Sequence, residues 1–312
     1  MMITEVKLVT VAVADLARSR GFYENAFDYV CLGEGVAEGP EYEALWNMPP
    51  GLRGRVAVLG PRGATSGLLR LVEFDLPGER IWGDYSSPQD YGHYALNIRV
   101  PEIQSAITRI REHGGHGKAS PTHWTVTPEL SAWDSQSYDP DGVVVDVFQL
   151  EAAGGSPLAD YDGRCSALQT VALHTSDARQ SARFYAALGF RPLYDKVVEG
   201  MEGFFGLPEG TALHNINMAM PDNTAVGRIE IAQYVGFPGV SQRDRAVPPN
   251  LGILSASIET ADLQATAELL HSIGAEPMSE AVEVAMPGEP GPVRAQTYYG
   301  PDGEALEFFA RR

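Results

Sequence analysis

Cysteine and positive charge are both scarce in this sequence, and each shortage narrows what the chain can be. The 2 cysteines, Cys31 and Cys165, have neither a CxxC nor any other metal-ligand spacing, so we expect inert packing thiols rather than a disulfide. Lys and Arg number 23 against 41 Asp and Glu, and a net charge of −18 repels phosphate backbones and anionic membrane surfaces. We therefore expect no nucleic acid and no membrane among the partners.

Long apolar runs and the common catalytic motifs are missing as well. No apolar run approaches the roughly 20 residues that span a bilayer, and residues 1–5 lack the basic start of a secretory signal, so we expect a cytoplasmic protein. The chain has no P-loop and no GxGxxG, GxSxG or HExxH pattern. Nucleotide hydrolysis, dinucleotide redox chemistry, serine hydrolysis and zinc proteolysis therefore lack support.

The chain does contain an internal repeat that covers most of its length. A Ser-x-x-Phe-Tyr pattern that ends at Tyr23 returns ending at Tyr185, an offset of 185 − 23 = 162 residues. The turn Tyr-Asp-Pro-Asp-Gly at 138–142 returns as Tyr-Gly-Pro-Asp-Gly at 299–303, again at an offset near 160. We therefore divide the chain into a first half, 1–150, a linker, 151–164, and a second half, 165–312.

Each half divides again into two units by its strand and helix patterns. Residues 7–13 are β-rich and are followed by apolar residues at helical spacing. In the next unit, a strand pattern at 94–100 precedes a helix with Pro101 in its first position and Gly114 as its stop. The second half repeats this order, so we predict four βαβββ modules in an α+β fold.

Three recurring elements carry a resemblance to a known family. They are the Asp-x-x-x-Ser-x-x-Phe-Tyr pattern at Asp15 and Asp177, the strand Tyr-Gly-His-Tyr-Ala-Leu at 91–96, and the Pro-Asp-Gly turns ahead of Asp146 and Glu307. With them the chain resembles, over nearly all its length, the vicinal oxygen chelate superfamily of glyoxalase I, bleomycin-resistance proteins and type I extradiol dioxygenases. The resemblance implies two tandem glyoxalase-like domains, each of two βαβββ modules that curl a mixed sheet into a cup, with a divalent metal commonly held at its base.

The resemblance also implies positions for the metal ligands. Carried onto this sequence, they fall on Leu8, Arg70, His93 and Asp146 in the first half and on Thr170, Glu230, Ile253 and Glu307 in the second. Neither set contains the two histidines and one carboxylate of a non-haem iron site, and Leu8 and Ile253 have no lone pair to offer. We therefore expect no cofactor. If a divalent metal is bound, we expect it at Glu230 and Glu307, or at His93, Asp146 and Glu73.

Without a metal, the same positions favour acid–base catalysis. We expect Arg70, His93 and Asp146 to meet in the first half, with His93 as general base or acid, Asp146 supporting it and Arg70 binding an anionic group. The alternative is an ion pair of Arg70 with Asp146 beneath a binding pocket. In the second half we expect Glu230 and Glu307 to approach each other, which would raise one carboxyl pKa. Further candidate substrate-binding residues are Arg55, His123, Trp124 and His174.

Three functions stay open on these grounds. The first is a metal-independent isomerase, epimerase or lyase that acts on a small oxygenated organic molecule. The second is a non-catalytic small-molecule binder, as the bleomycin-resistance proteins are, and the third is a divalent-metal glyoxalase or an extradiol dioxygenase. The sequence leaves open whether the chain is a monomer or a homodimer, and whether each cup forms within one half or by exchange between chains.

Overall fold

The computed structural model describes residues 3–127, 130–152 and 165–312. The predicted linker, 151–164, lies outside the described residues apart from Glu151 and Ala152, which end a strand. No helix of the described residues is long and apolar enough to cross a membrane.

Four modules follow one another along the chain, as the sequence predicts. Module 1 consists of β1 Ile3–Ala12, α1 Leu16–Phe27, β2 Val30–Ala37, α2 Pro40–Trp46, β3 Gly54–Gly60 and β4 Leu68–Phe74. Module 2 consists of β5 Gly92–Arg99, α3 Ile103–Glu112, β6 His116–Gly117, β7 Thr122–Thr127, β8 Leu130–Tyr138 and β9 Val144–Ala152.

The second half repeats this series of elements. Module 3 consists of β10 Leu168–His174, α4 Ala178–Ala187, β11 Arg191–Val198, α5 Glu202–Phe205, β12 Ala212–Ala219 and β13 Arg228–Val235. Module 4 consists of β14 Gly252–Thr260, α6 Leu263–Ser272, β15 Glu276–Pro277, β16 Val282–Val284, β17 Val293–Tyr299 and β18 Ala305–Arg311.

The repeated sequence motif ties the first helix of each half to a distant turn. Asp15 caps α1 by accepting from the backbone N–H of Arg18 at 2.9 Å. Tyr23, on the buried face of α1, donates to Asp139 at 2.9 Å, in the turn between β8 and β9. In the second half Tyr185 donates to Glu304 at 2.7 Å in the equivalent turn. The motif therefore holds modules together and is not itself a reactive site.

The strands form two mixed nine-stranded sheets, and each sheet joins modules from different halves. Sheet I has the order β15-β17-β18-β14-β1-β4-β3-β2, with β16 beside β17, and so combines modules 1 and 4. Sheet II has the order β11-β12-β13-β10-β5-β9-β8-β6, with β7 beside β8, and combines modules 2 and 3. The fold class predicted from the sequence is confirmed, but the pairing of two modules within one half is wrong.

Both sheets curl into cups, which we call cup I and cup II after their sheets. In sheet I, β4 and β18 are three strand positions apart, about 14 Å in a flat sheet. Arg70 of β4 nevertheless lies 3.0 Å from Glu307 of β18. In sheet II, Asn97 of β5 bonds Glu230 of β13 across the intervening β10. These contacts require concave faces on which distant strands meet.

Candidate functional site

The base of cup I holds an ion pair that is closed off from solvent. Arg70 and Glu307 are both 0% exposed, and Arg70 Nη2 lies 3.0 Å from each carboxylate oxygen of Glu307. The same nitrogen donates to Thr10 Oγ1 at 2.7 Å, and Ser257 Oγ donates to Glu307 at 2.7 Å. The charges of both residues are thus balanced within the protein.

Helix α2 fills the mouth of cup I. Trp46 donates from Nε1 to Glu307 at 2.7 Å, and its ring centroid lies 4.8 Å from the Arg70 guanidinium carbon. Tyr42, Leu45 and Trp46 are buried in one apolar cluster that also contains Met48, Val284, Met286 and the sheet residues Ala12, Val72 and Phe309. Cup I is therefore a packed core built around a buried ion pair.

This arrangement corrects the site predicted for the first half. Arg70 belongs to sheet I, whereas His93 and Asp146 belong to sheet II, so the three do not converge. Glu230 and Glu307 do not approach each other either, for the same reason. An ion pair of Arg70 does form, but with Glu307 in place of Asp146. The cause is the cross-half pairing of the modules.

Cup II places a different set of side chains on its base. Asn97 of β5 is directly opposite Asp146 of β9, and Ala172 of β10 is opposite Glu230 of β13. Glu230 accepts from Asn97 Nδ2 and, at 2.6 Å, from Asn215 Nδ2. Burial raises the pKa of Glu230 to about 7, and the Asp146 charge acts in the same direction, against the two amide bonds. Glu230 is thus poised to gain or lose a proton near neutral pH.

A pair of carboxyl groups lies beside Glu230. Asp134 of β8 and Asp146 of β9 lie on neighbouring antiparallel strands, one diagonal step apart, and their carboxyl groups are hydrogen-bonded to each other. Burial, together with the neighbouring acid, raises the pKa of Asp146 well above its usual range, and burial raises that of Asp134 to about 6. Two carboxylates this close cannot both be ionised cheaply. Both pKa shifts therefore favour a proton on the pair.

One lysine projects into the same cup. The backbone N–H groups of Lys118 and Ala119 donate to the Gln136 carbonyl oxygen at 2.8 and 2.9 Å, and Lys118 Nζ donates to Gln136 Oε1 at 2.6 Å. Gln136 lies directly opposite Asp146. Burial lowers the pKa of Lys118 to about 8, although the Asp146 charge opposes that change. The Lys118 amine is therefore held close to the acidic groups at the bottom of cup II.

An apolar wall and an aromatic cluster complete cup II. Met201, Leu213, Ala232 and Tyr234 are buried together, and Trp124, Phe205, Leu207 and Phe237 pack against them while partly exposed. His174 stacks on Tyr94 with 3.9 Å between ring centroids and faces the Tyr234 hydroxyl at 3.3 Å from Nε2. Burial lowers the pKa of His174 to about 3, so its ring is neutral at physiological pH.

Cup II is less completely closed than cup I. The four-residue helix α5 buries none of its side chains, whereas α2, its counterpart in module 1, buries three. Asp134, Asp146, Glu230 and Lys118 are all partly exposed, in contrast to Arg70 and Glu307. The ionisable groups of cup II are therefore less completely enclosed than those of cup I.

The remaining residues selected from the sequence lie elsewhere, with two exceptions. His93 Nε2 lies 3.1 Å from the Ala305 carbonyl oxygen, between the two sheets, and burial lowers its pKa to about 4. Arg55 is exposed and pairs with Glu73 at 2.6 Å, and His123 is exposed beside Glu151 at 3.0 Å. Trp124 and His174, by contrast, lie on the wall and in the aromatic cluster of cup II.

The donor set of cup II does not fit the divalent metal that the resemblance implies. Ala172, at one of the four positions on the base, has no lone pair to offer a metal ion. Within the described ranges, no three or more His, Cys, Asp or Glu side chains are grouped so as to hold a metal ion. The sets Glu230 with Glu307, and His93 with Asp146 and Glu73, do not assemble, because their members lie in different sheets.

Sequence reasoning missed Asn97, Lys118, Asp134 and Asn215. A signal for two of them exists in the strand patterns. Asn215 and Asn217 on β12, and Asp134 and Gln136 on β8, are polar residues two apart, and so lie on one face of each strand. When two polar residues lie two positions apart on a strand of the core, they indicate a polar patch on one face of the sheet.

The fold, two sheets that are each made of two βαβββ modules, can be compared with that of known proteins. Residues 6–147, a little under half of the chain, match the model of the Glyoxalase/Bleomycin resistance protein/Dioxygenase superfamily, the superfamily that the sequence motifs resemble. Glyoxalase I from Zea mays is 18% identical, with 98% of this chain and 92% of that chain covered at a TM-score of 0.64. A proposed dioxygenase from Bacillus subtilis is 11% identical, covering 99% and 85%, at a TM-score of 0.59.

At these identities the two likenesses establish the fold alone. No curated protein sequence matches the chain. A shared fold does not determine the chemistry of a site.

Proposed function

We propose that the protein is an enzyme that moves a proton at a carbon next to a carbonyl group, in a small oxygenated organic molecule bound in cup II. The outcome is isomerisation, epimerisation or elimination without a metal. The observation that carries this proposal is the meeting of Glu230, whose pKa is raised to about 7, with the proton-sharing pair of Asp134 and Asp146. Glu230 can accept a proton while the Asp134–Asp146 pair supplies one.

The roles of the groups follow from their protonation. Glu230 in its ionised form takes the proton from the carbon, and a base works best when its pKa lies near the working pH. As the C–H electrons form a carbon–carbon double bond, the carbonyl oxygen takes the proton shared by Asp134 and Asp146. Return of a proton to a neighbouring carbon, or to the other face of the same carbon, gives the isomer or the epimer and restores both groups.

A non-catalytic binder is the second candidate. The apolar wall around Trp124, Phe205 and Phe237 would pack against an aromatic or polycyclic compound. Three acidic groups at the base are not needed for that task, and burying them together is unfavourable. We therefore rank the enzyme first.

Hydrogen exchange with solvent tests the proposal before the natural substrate is known. Hydroxyacetone, acetoin and dihydroxyacetone are incubated with the protein in D₂O, and deuterium at the carbon next to the carbonyl is followed by NMR. We expect catalysed exchange that Glu230→Gln removes and that Glu73→Gln, a control in sheet I, leaves unchanged. Exchange that survives Glu230→Gln, or that is lost with a chelator and restored by a divalent metal, would contradict the proposal.

A further inference from the structure

Lys118, in cup II, is a cation whose hydrogen-bond partner is neutral rather than acidic. The chain has 3 lysines, Lys7, Lys118 and Lys196, among 23 basic residues. Lys7 forms an ion pair with Glu5 at 2.8 Å. Lys118 instead makes one side-chain hydrogen bond within the described chain, to the neutral Gln136. An ammonium group has three N–H donors, so two of those on Lys118 have no hydrogen-bond acceptor among the described residues.

An aromatic ring, two acidic groups and a neutral histidine surround Lys118, and such groups suit the reaction of an amine with a carbonyl compound. The Tyr94 ring of β5 lies 5.8 Å from Nζ, Asp146 of β9 acts on its charge, and His174 of β10 is neutral. Asp134, on β8 with Gln136, completes the proton-sharing pair. A lysine that is desolvated in this way is partly deprotonated near neutral pH and becomes a nucleophile.

We propose that Lys118 forms an imine with the carbonyl carbon of an aldehyde or ketone substrate in cup II, an inference that rests on the function proposed above. The amine nitrogen attacks the carbonyl carbon, and the carbonyl oxygen leaves as water after taking a proton from the Asp134–Asp146 pair and one from the amine. The protonated imine withdraws electrons from the adjacent carbon, from which Glu230 takes a proton to give an enamine. Reprotonation and the addition of water release the product and the free amine, so no oxidant or reductant is consumed.

Reductive trapping tests this step directly. The full-length protein is mixed with dihydroxyacetone and sodium cyanoborohydride, which reduces an imine to a stable secondary amine, and is analysed by intact mass and peptide mapping. We expect one adduct per chain, on Lys118. Because the neutral amine reacts, its rate should rise about tenfold between pH 6 and 7 and level off above the pKa of about 8. Lys118→Arg should abolish the adduct, and Lys7→Arg should not.

The outcomes separate this inference from the proposed function. No adduct, or equal labelling of all lysines, overturns the imine, and so does full deuterium exchange in Lys118→Arg. If exchange in the wild-type protein still depends on Glu230, the proposed function stands without the imine. An adduct on Lys118 in a protein that catalyses no exchange would support the nucleophile and contradict the proposed function.

Discussion

Arg70 and Glu307 are 237 residues apart in the sequence and form a fully buried ion pair, with Nη2 3.0 Å from both carboxylate oxygens. The pair connects module 1 to module 4 at the base of cup I. Each charge is compensated by the other, and both side chains are closed off from solvent. The proposed reaction is therefore assigned to cup II.

Breaking this pair should destabilise the protein strongly. Glu307→Gln leaves the Arg70 charge buried without its partner, which costs about 3–5 kcal/mol, whereas the double variant Arg70→Met/Glu307→Leu should cost much less. Urea unfolding measures both. Arg55→Ala, which removes the exposed bridge to Glu73, serves as the control and should cost about 1 kcal/mol or less. A single Glu307→Gln variant as stable as the control would mean that the pair is not closed off as described.

The activity of cup II should depend on the ionisation of Glu230. Its carboxylate form is the base, and its pKa is raised to about 7, so solvent exchange should rise as the pH rises through 7. Glu230→Gln should lower kcat by about 10²–10⁴-fold, the usual contribution of a general base. The measurement is the pH profile of deuterium incorporation. A profile that is flat from pH 5 to 8 would assign the base to another group.

The repeat and its motifs were enough to predict four βαβββ modules, because Asp15, Tyr23 and their counterparts are needed in every copy to cap a helix and bond a turn. The partner of each module could not be predicted. The first strands β1, β5, β10 and β14 present similar apolar faces, and no local pattern says which of them pair. The pairing of modules decides which side chains meet. The four modules were predicted correctly, but Arg70 was predicted beside Asp146 and lies beside Glu307.

The raised pKa values of the cup II acids should also make stability depend on pH. A carboxyl group whose pKa is higher in the folded than in the unfolded protein stabilises the fold below its unfolded value, and this stabilisation is lost as the pH rises through the folded value. For Glu230 the window runs from 4.5 to about 7. The Tm of the wild type should therefore fall relative to that of Glu230→Gln as the pH rises across that window. Asp139 and Glu304, with pKa values also near 7, contribute in the same direction to both proteins and cancel in the comparison.

The cross-half pairing makes a prediction about fragments of the chain. Residues 1–152 contain β1 and β5 without their antiparallel partners β14 and β10, so each sheet would end in a long unpaired edge, which promotes aggregation. We expect the fragments 1–152 and 165–312 to be insoluble or to unfold without cooperativity when produced alone. Produced together, they should copurify as a 1:1 complex with the exchange activity of the intact chain. A monomeric 1–152 that unfolds cooperatively by itself would restore the pairing of two modules within one half and refute the arrangement described here.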